Sequence, residues 1–270
     1  MRYFPKLKKE QLKLLVSCNG FEFTEQKNKP WFDYTSNQIG PYYVQSMAVF
    51  SNASASQSAI NAMIEYINNQ EMDIDIISAG ESRDWPFAFP IQNHLGKDIK
   101  MLYKDGKTSF GTFDLKDKKI LHIGDLNNEG SSIRKWQKMI QEAGGTIKQA
   151  LFYVDRMENG VKVLEELGIE RHAIVDLDND SWQYLMNNGF ISQSMYQELI
   201  KYWEDPLKWG CEKIIKHPEP IFELIKNEKK RERGIGIFEL YNKETNGKLA
   251  SILGVRDFAE LLLKVSINKK

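Results

Sequence analysis

The chain has 270 residues, of which 41% are hydrophobic, and its 37 basic and 37 acidic side chains cancel. This composition excludes wholesale disorder and argues against a globally basic, nucleic-acid-binding protein. Two distant cysteines make neither a disulfide framework nor a zinc site, so we expect a cytoplasmic protein. The sequence shows no signal peptide and no apolar run long enough for a bilayer, so no membrane partner is expected.

The first part of the chain mixes helices with aromatic extended segments. Hydrophobic spacing predicts helices over 7–18 and 55–68, and turn residues break 21–50 into short extended pieces. Strands and helices alternate from residue 73 onwards, which indicates βαβ units and a mainly parallel sheet. The predicted strands cover 73–78, 99–103, 119–124, 149–155 and 172–175, and the predicted helices cover 85–95, 133–143 and 161–167.

The pattern changes near residue 190. Helices are predicted over 192–204, 206–215, 218–231 and 252–266, and the one strand-like stretch is 234–240. We therefore expect an α/β domain over residues 1–190 and a mostly α-helical C-terminal extension over residues 191–270.

Residues 119–133 carry the clearest chemical signal. An apolar strand leads to Asp125, a polar loop containing Gly130 follows, and a helix starts at Ser131. Backbone N–H groups in such a loop, together with a helix N-terminus, bind a phosphate dianion, and Asp125 beside it would accept hydrogen bonds from sugar hydroxyls. The same spacing also fits an ordinary strand–turn–helix in which Ser131 is the N-cap.

This stretch resembles the phosphoribosyl diphosphate (PRPP) loop of type I phosphoribosyltransferases, in which two acidic residues follow an apolar strand. Asp125 matches the second acidic residue, and Gly124 replaces the first. Three more segments resemble orotate phosphoribosyltransferases in the same order: Phe-Asp-Tyr-Thr-Ser-Asn-Gln-Ile-Gly-Pro-Tyr-Tyr over 32–43, Asp-Ile-Ile-Ser-Ala-Gly-Glu over 75–81, and Leu-Phe-Tyr-Val-Asp-Arg over 151–156 followed by Gly160.

The resemblance implies the type I phosphoribosyltransferase fold and an enzyme that transfers ribose 5-phosphate from PRPP to a pyrimidine-type, orotate-like base, with release of pyrophosphate. It implies Mg²⁺ bound mainly through PRPP and pyrophosphate, no protein-built metal site, and a homodimer. The residues implied as catalytic are Lys104, Lys107 and Asp125. Those implied for PRPP or phosphate are Ser78, Ala79, Gly80, Glu81, Ser82, Asp125, Asn127, Asn128, Glu129, Gly130, Ser131 and Ser132, and those implied for the base are Tyr42, Tyr43 and Arg156.

Several positions depart from the family pattern. The mobile-loop arginine and histidine of orotate enzymes are absent, Gly124 is not acidic, and Arg83 with Asp84 adds charge at a turn where the family has small residues. These departures leave a second function open, a catalytically weak protein of this fold that binds PRPP or a nucleotide as a sensor or partner. Arg156 fits either a base carboxylate or a local surface pair with Asp155. His122, in mid-strand, is expected to be a core or strand-face residue rather than a catalyst.

Overall fold

The computed structural model describes residues 3–106 and 114–267, and the chain groups into two compact units. Unit 1 comprises Met1–Gly20 and Gln45–Phe190, and unit 2 comprises Phe21–Val44 and Ile191–Lys270. The expected division at residue 190 differs from this grouping at residues 21–44, which fall with the C-terminal part of the chain.

The secondary structure follows the chain in this order. The strands are β1 (Phe21–Phe23), β2 (Phe32–Asp33), β3 (Ile39–Gly40), β4 (Tyr42–Val44), β5 (Ile76–Gly80), β6 (Asp98–Leu102), β7 (Ile120–Asn127), β8 (Ile147–Asp155) and β9 (Glu170–Asp176). The helices are α1 (Tyr3–Ser17), α2 (Thr24–Lys27), α3 (Ala53–Asn69), α4 (Trp85–Leu95), α5 (Ser131–Glu142), α6 (Asn159–Glu166), α7 (Asn179–Asn187), α8 (Gln193–Glu204), α9 (Pro206–Lys216), α10 (Pro220–Lys226), α11 (Arg231–Glu244), α12 (Lys248–Leu253) and α13 (Phe258–Ile267). A 3₁₀ helix spans Ser46–Ser51.

Unit 1 is built on a five-stranded, wholly parallel sheet with the strand order β6-β5-β7-β8-β9. Helices cover both faces, because these strands are apolar on both sides. On one face, Trp136 of α5 and Leu164 of α6 join Phe152 of β8 in a buried cluster. On the other face, the Tyr153 ring lies 5.0 Å from the Phe87 ring of α4. The predicted α/β class is confirmed.

The strand order places a topological switch point between β5 and β7. After β5 the chain passes through α4 to β6 on one side, and the next strand, β7, pairs with the opposite side of β5. The connections therefore leave the carboxyl ends of β5 and β7 in opposite directions and open a crevice there. Open parallel sheets bind their ligands at such crevices.

Capping residues mark the helix boundaries in unit 1, as a glycine and an asparagine show. Helix α4 ends at Leu95 because Gly96 adopts the left-handed conformation, with φ of 62°. Helix α3 begins after Asn52, whose side-chain oxygen accepts the N–H groups of Ser54 and Ala55 at 2.8 and 3.1 Å. These boundaries agree with the sequence-based prediction to within about two residues.

Unit 2 pairs β1 with β4 and β2 with β3, both antiparallel, and adds the helices α2 and α8–α13. The strand predicted over 234–240 was wrong, because this stretch lies inside α11. A side chain at Gly234 would come within 2.9 Å of Leu224, and one at Gly236 within 2.5 Å of Asn37. Close packing therefore explains these glycines. The helix predicted over 252–266 is two helices, interrupted at Gly254, where φ is 64°.

The helices can be compared with the thickness of a lipid bilayer. Within the described ranges, none is both long and apolar enough to cross a membrane.

Candidate functional site

Asp125 lies at the switch point, near the carboxyl end of β7. Its side chain is almost fully buried, and its Oδ2 atom accepts the hydroxyl of Ser46, from the 3₁₀ helix, at 2.7 Å. Strand β7 runs on to Asn127, since Leu126 and Asn127 stay in register with Val154 and Asp155 of β8. The polar turn expected directly after residue 124 therefore begins after Asn127.

Burial raises the pKa of the Asp125 carboxyl, because the charged form loses its hydration. The Ser46 hydrogen bond and the positive charge of Arg83 act in the opposite direction. Asp125 is thus a desolvated carboxyl group near the carboxyl end of the central strand. A ligand hydroxyl that donates to it would replace the hydrogen bonds that water no longer makes.

The loop between β7 and α5 turns through Gly130, which has φ of 72° and is the N-cap of α5. A side chain at Gly130 would come within 2.6 Å of Val163, so both conformation and space require glycine. Helix α5 begins at Ser131, as predicted, and its first turn contains no acidic residue. The N–H groups and the helix dipole at this end favour an anion.

The same loop is anchored by the ends of neighbouring elements. The Asn127 amide donates to Asp155 Oδ2 at 2.8 Å, and the Arg156 N–H donates to the Asn127 carbonyl at 3.0 Å. Gly160, in α6, donates its N–H to the Asn128 carbonyl at 2.6 Å. The phosphate-type loop is therefore fixed by β8 and α6 before any ligand arrives.

Arg156 and Glu129 both interact with Glu158, which follows β8. The Arg156 guanidinium is 2.7 Å from a Glu158 carboxylate oxygen, and both side chains are largely buried. The alternative of a surface pair with Asp155 was wrong, because the Asp155 carboxylate is fully buried and accepts from Asn127 and Met157. Burial, followed by the charge of Glu158, raises the pKa of Glu129, and the charge of Arg156 lowers it.

A second loop enters the crevice from β5. Ser78 and Ala79 are fully buried in the strand, and the Ser78 hydroxyl is 3.0 Å from His122 Nδ1. Gly80 leaves room for the Trp136 indole, which would lie only 2.3 Å from a side chain at this position. Beyond the strand, Ser82 is exposed. The segment from Gly80 to Arg83, which we call the β5 turn, therefore presents its tip to solvent, whereas Ser78 faces the interior.

Asp84, which the sequence offered only as an added charge, joins the β5 turn to Asp125. Its Oδ1 atom accepts the Asp125 N–H at 2.9 Å, and its Oδ2 atom accepts the Gly80 N–H at 2.8 Å. An acidic residue just before a helix normally indicates an N-cap, but the Asp84 side chain makes no cap hydrogen bond to α4. Because the sequence signal fits the ordinary role, the bridging role was missed.

Burial shifts the pKa values of Asp84 and of the neighbouring His122. Burial and the neighbouring charge of Asp125 raise the pKa of Asp84 well above its usual range. Burial lowers the pKa of His122 to about 3, so this imidazole is uncharged at neutral pH. His122 Nε2 lies 3.6 Å from Asp84 Oδ2. The expectation that His122 is a core residue agrees with its burial and its bond to Ser78.

Four other residues were predicted for the site, namely Lys104, Lys107, Tyr42 and Tyr43. Lys104 follows β6, and its N–H donates to Glu81 Oε2 at 2.8 Å, which links the two loop starts. Lys107 lies outside the described residues. Tyr42 and Tyr43 belong to unit 2, where Tyr42 is buried edge-on against Tyr202 and Tyr43 is half-buried.

The described residues hold no cluster of three or more His, Cys, Asp or Glu side chains that could bind a metal ion.

The chain is similar to known proteins in sequence and in structure. No family model matches the chain. An orotate phosphoribosyltransferase from Sulfurisphaera tokodaii is 28% identical over 176 residues, which cover 63% of this chain and 88% of that protein. An adenine phosphoribosyltransferase from Agathobacter rectalis is 28% identical over 151 residues, or 48% of this chain and 84% of that protein.

A crystal structure of orotate phosphoribosyltransferase from Francisella tularensis superposes with a TM-score of 0.58 at 16% identity. The superposition covers 71% of this chain and 96% of that one. At this identity the likeness shows the fold.

Proposed function

Given that the chain is a relative of the type I phosphoribosyltransferases, close to the orotate enzymes, we propose that it transfers ribose 5-phosphate from PRPP to a base. Pyrophosphate leaves in this reaction, and the base is a pyrimidine of the orotate type. The proposal rests on one observation. Asp125, the N-terminus of α5 and the β5 turn converge at the switch point of one parallel sheet.

Each part of PRPP has a partner in this arrangement. The loop from Asn127 to Ser132 offers N–H groups to the 5-phosphate. Asp125 accepts hydrogen bonds from the ribose hydroxyls, which are stronger than neutral ones because the acceptor is charged. The β5 turn receives the pyrophosphate, and the exposed Arg83 supplies a cation there.

The chemistry asks the protein chiefly to position and to stabilise charge. As the bond between ribose and pyrophosphate breaks, the ribose passes through an oxocarbenium-like state and negative charge grows on the leaving group. Fixed N–H donors and cations at the site stabilise that charge without having to reorganise. Mg²⁺ bound together with PRPP would neutralise part of the pyrophosphate charge.

The base assignment follows from Arg156. A planar guanidinium suits a carboxylate such as that of orotate, and Arg156 lies at the carboxyl end of β8 beside the phosphate loop. Glu158 holds the guanidinium in place before the base binds. The adenine-specific relative makes a purine the competing acceptor.

Turnover tests the proposal. The protein is incubated with PRPP, Mg²⁺ and, in separate reactions, orotate, uracil, adenine and guanine, and released pyrophosphate is measured. We expect release with orotate and, at low PRPP concentration, about ten- to a hundredfold slower release in the Asp125→Asn variant. Release with adenine instead would keep the enzyme class and overturn the base.

A second candidate function is a weakly catalytic protein that binds PRPP as a sensor or partner. Gly124, which replaces an acidic residue of the family loop, favours it. Calorimetric binding of PRPP with no pyrophosphate release from any base would select this candidate.

A further inference from the structure

We propose that Asp84 is a positioning residue that holds Asp125 for ribose binding and couples it to the β5 turn, which receives pyrophosphate. This inference rests on the proposed function. It adds a residue that does not touch the reacting atoms and acts through two groups that do.

The Asp84 carboxyl group accepts two backbone hydrogen bonds. One oxygen accepts the Asp125 N–H at 2.9 Å and the other accepts the Gly80 N–H at 2.8 Å. The β5–β7 ladder ends at the Ala79–Ile123 pair, so both N–H groups lie just beyond the regular pairing. A side chain therefore continues the connection that the backbones no longer make.

The Asp84 side chain also contacts the Asp125 side chain through a hydrogen bond between the two carboxyl groups. Burial and the charge of Asp125 raise the pKa of Asp84, because two charges this close would repel each other in a desolvated site. Asp125 is fixed from its other side by the Ser46 hydroxyl at 2.7 Å. The carboxyl that would receive ribose is thus oriented by two partners.

Three further groups face this pair of carboxyl groups. His122 faces Asp84 from β7 at 3.6 Å and is neutral, with a pKa of about 3. Arg83, next to Asp84 in the turn, is the cation whose charge lowers the pKa of Asp125. Ser46 faces the pair from the 3₁₀ helix and carries no charge.

Coupling follows from this geometry. If pyrophosphate shifts the β5 turn when it binds, Gly80 moves with the turn. The Asp84 carboxyl group then transmits this movement to Asp125, because it accepts the N–H groups of both residues. A loss of Asp84 should therefore weaken ligands of both halves of PRPP, whereas a loss of Asp125 should weaken the ribose half alone.

Calorimetry tests this with two probes, ribose 5-phosphate and inorganic pyrophosphate, each with Mg²⁺. In Asp84→Asn we expect ribose 5-phosphate to bind about tenfold more weakly and pyrophosphate several-fold more weakly. In Asp125→Asn only ribose 5-phosphate should weaken. The matched control is Asp75→Asn, because the exposed Asp75 accepts the Lys119 N–H at 2.9 Å and joins β5 to the start of β7 at the opposite end. It should bind both probes as the unaltered chain does.

Two further readouts separate positioning from general loss of stability. In the Asp125→Asn background, Asp84→Asn should weaken ribose 5-phosphate by less than about threefold more, because the residue acts through Asp125. The unaltered chain should also lose ribose 5-phosphate affinity as the pH rises through the raised pKa of Asp84, because Asp84 then ionises beside Asp125, and Asp84→Asn should lack this loss. Asp84→Ser, which retains one acceptor, replaces Asp84→Asn if that variant does not fold.

The outcomes are distinct. If the unaltered chain binds both probes but the Asp84 variants bind them equally well, or if the two substitutions are additive, the inference is overturned and the proposed function stands. If the unaltered chain binds neither probe, both are overturned.

Discussion

The backbone N–H of Gly160 donates to the carbonyl oxygen of Asn128 over 2.6 Å, which brings the start of α6 directly against the loop that precedes α5. There is no room between them. A side chain at Gly160 would lie 2.3 Å from Asn127 Oδ1 and 2.4 Å from the Asn128 oxygen. The shape of the phosphate-type loop therefore depends on a residue outside that loop.

We expect Gly160→Ala to displace this loop and to weaken PRPP binding by at least about tenfold, since overpacking costs roughly 1–3 kcal/mol. Isothermal calorimetry measures the affinity. The control is Gly168→Ala, which follows the other end of α6, where φ is 65° and no atom lies within 4 Å of an added side chain. Backbone strain should lower its stability by about 1–2 kcal/mol and leave PRPP affinity unchanged. Equal affinity in both variants would contradict the prediction.

Asp125→Asn should keep the fold and weaken PRPP by about ten- to a hundredfold, because a charged acceptor contributes roughly 1.5–3 kcal/mol. The buried position and the Ser46 bond are compatible with the amide, which has nearly the same shape. Titration calorimetry with PRPP and Mg²⁺ gives the affinity, and thermal unfolding gives the stability. An unchanged affinity would mean that this crevice does not bind PRPP.

Glu129→Gln is the opposite case within the same loop. Glu129 faces Glu158 and Arg156, and a negative charge here repels a phosphate dianion. We expect PRPP affinity equal to that of the unaltered chain or a few-fold tighter. The gain is small because the repulsion that is removed resembles that between surface charges, about 1 kcal/mol or less. Weaker binding in the same calorimetric assay would show that Glu129 contributes a favourable contact.

The pH dependence of stability should carry the signature of His122. Its pKa falls from 6.5 to about 3 on folding, so the unfolded chain binds the extra proton between these values. The contribution of His122 is therefore fully present above pH 6.5 and is lost as the pH falls towards 3. In His122→Gln this loss should shrink by more than about 1 kcal/mol. Denaturant unfolding of the unaltered chain and of His122→Gln between pH 4 and 7 measures it, and an equal loss in both proteins would contradict the prediction.

Local signals in the sequence were sufficient to predict most of the strands and helices of unit 1. Helix α4 was predicted over its observed range, Trp85–Leu95, because its apolar run is followed by Gly96, and Gly96 does end the helix. The stretch over 234–240 misled, since alternating glycine and isoleucine indicate a strand, whereas tertiary packing on a helix uses the same glycines for close approach. Periodicity records which face is apolar and does not record what packs against it.

In the candidate site, too, the residues that local sequence predicts differ from those that depend on tertiary structure. Asp125 and Gly130 could be found from the sequence, because strand end, loop and helix start are contiguous in the chain. Ser46 and Asp84 could not, since each reaches Asp125 from a segment that is distant in sequence. Their hydrogen bonds depend on the parallel sheet being assembled first.

The assembly state remains an expectation from the family resemblance. We expect a homodimer at micromolar concentration, and light scattering coupled to size exclusion measures the mass. A monomer at every concentration tested would contradict it.

Gly80 should resist substitution because of the Trp136 indole. A side chain here would lie 2.3 Å from the ring atoms Cε2 and Nε1, and Trp136 is itself buried in the cluster between the sheet and α5. Gly80→Ala should therefore lower the free energy of unfolding by about 1–3 kcal/mol and weaken pyrophosphate binding, because the β5 turn or the indole must move.

A smaller ring at position 136 should relieve this clash. Trp136→Phe alone leaves a cavity and should lower stability, but in Gly80→Ala the same change gives the new methyl group room. We expect the double variant to be more stable than the sum of the two single losses by at least about 0.5 kcal/mol. Chemical denaturation of the four proteins gives this coupling energy, and pyrophosphate calorimetry shows whether the turn recovers. Strict additivity would show that the methyl group and the indole do not meet.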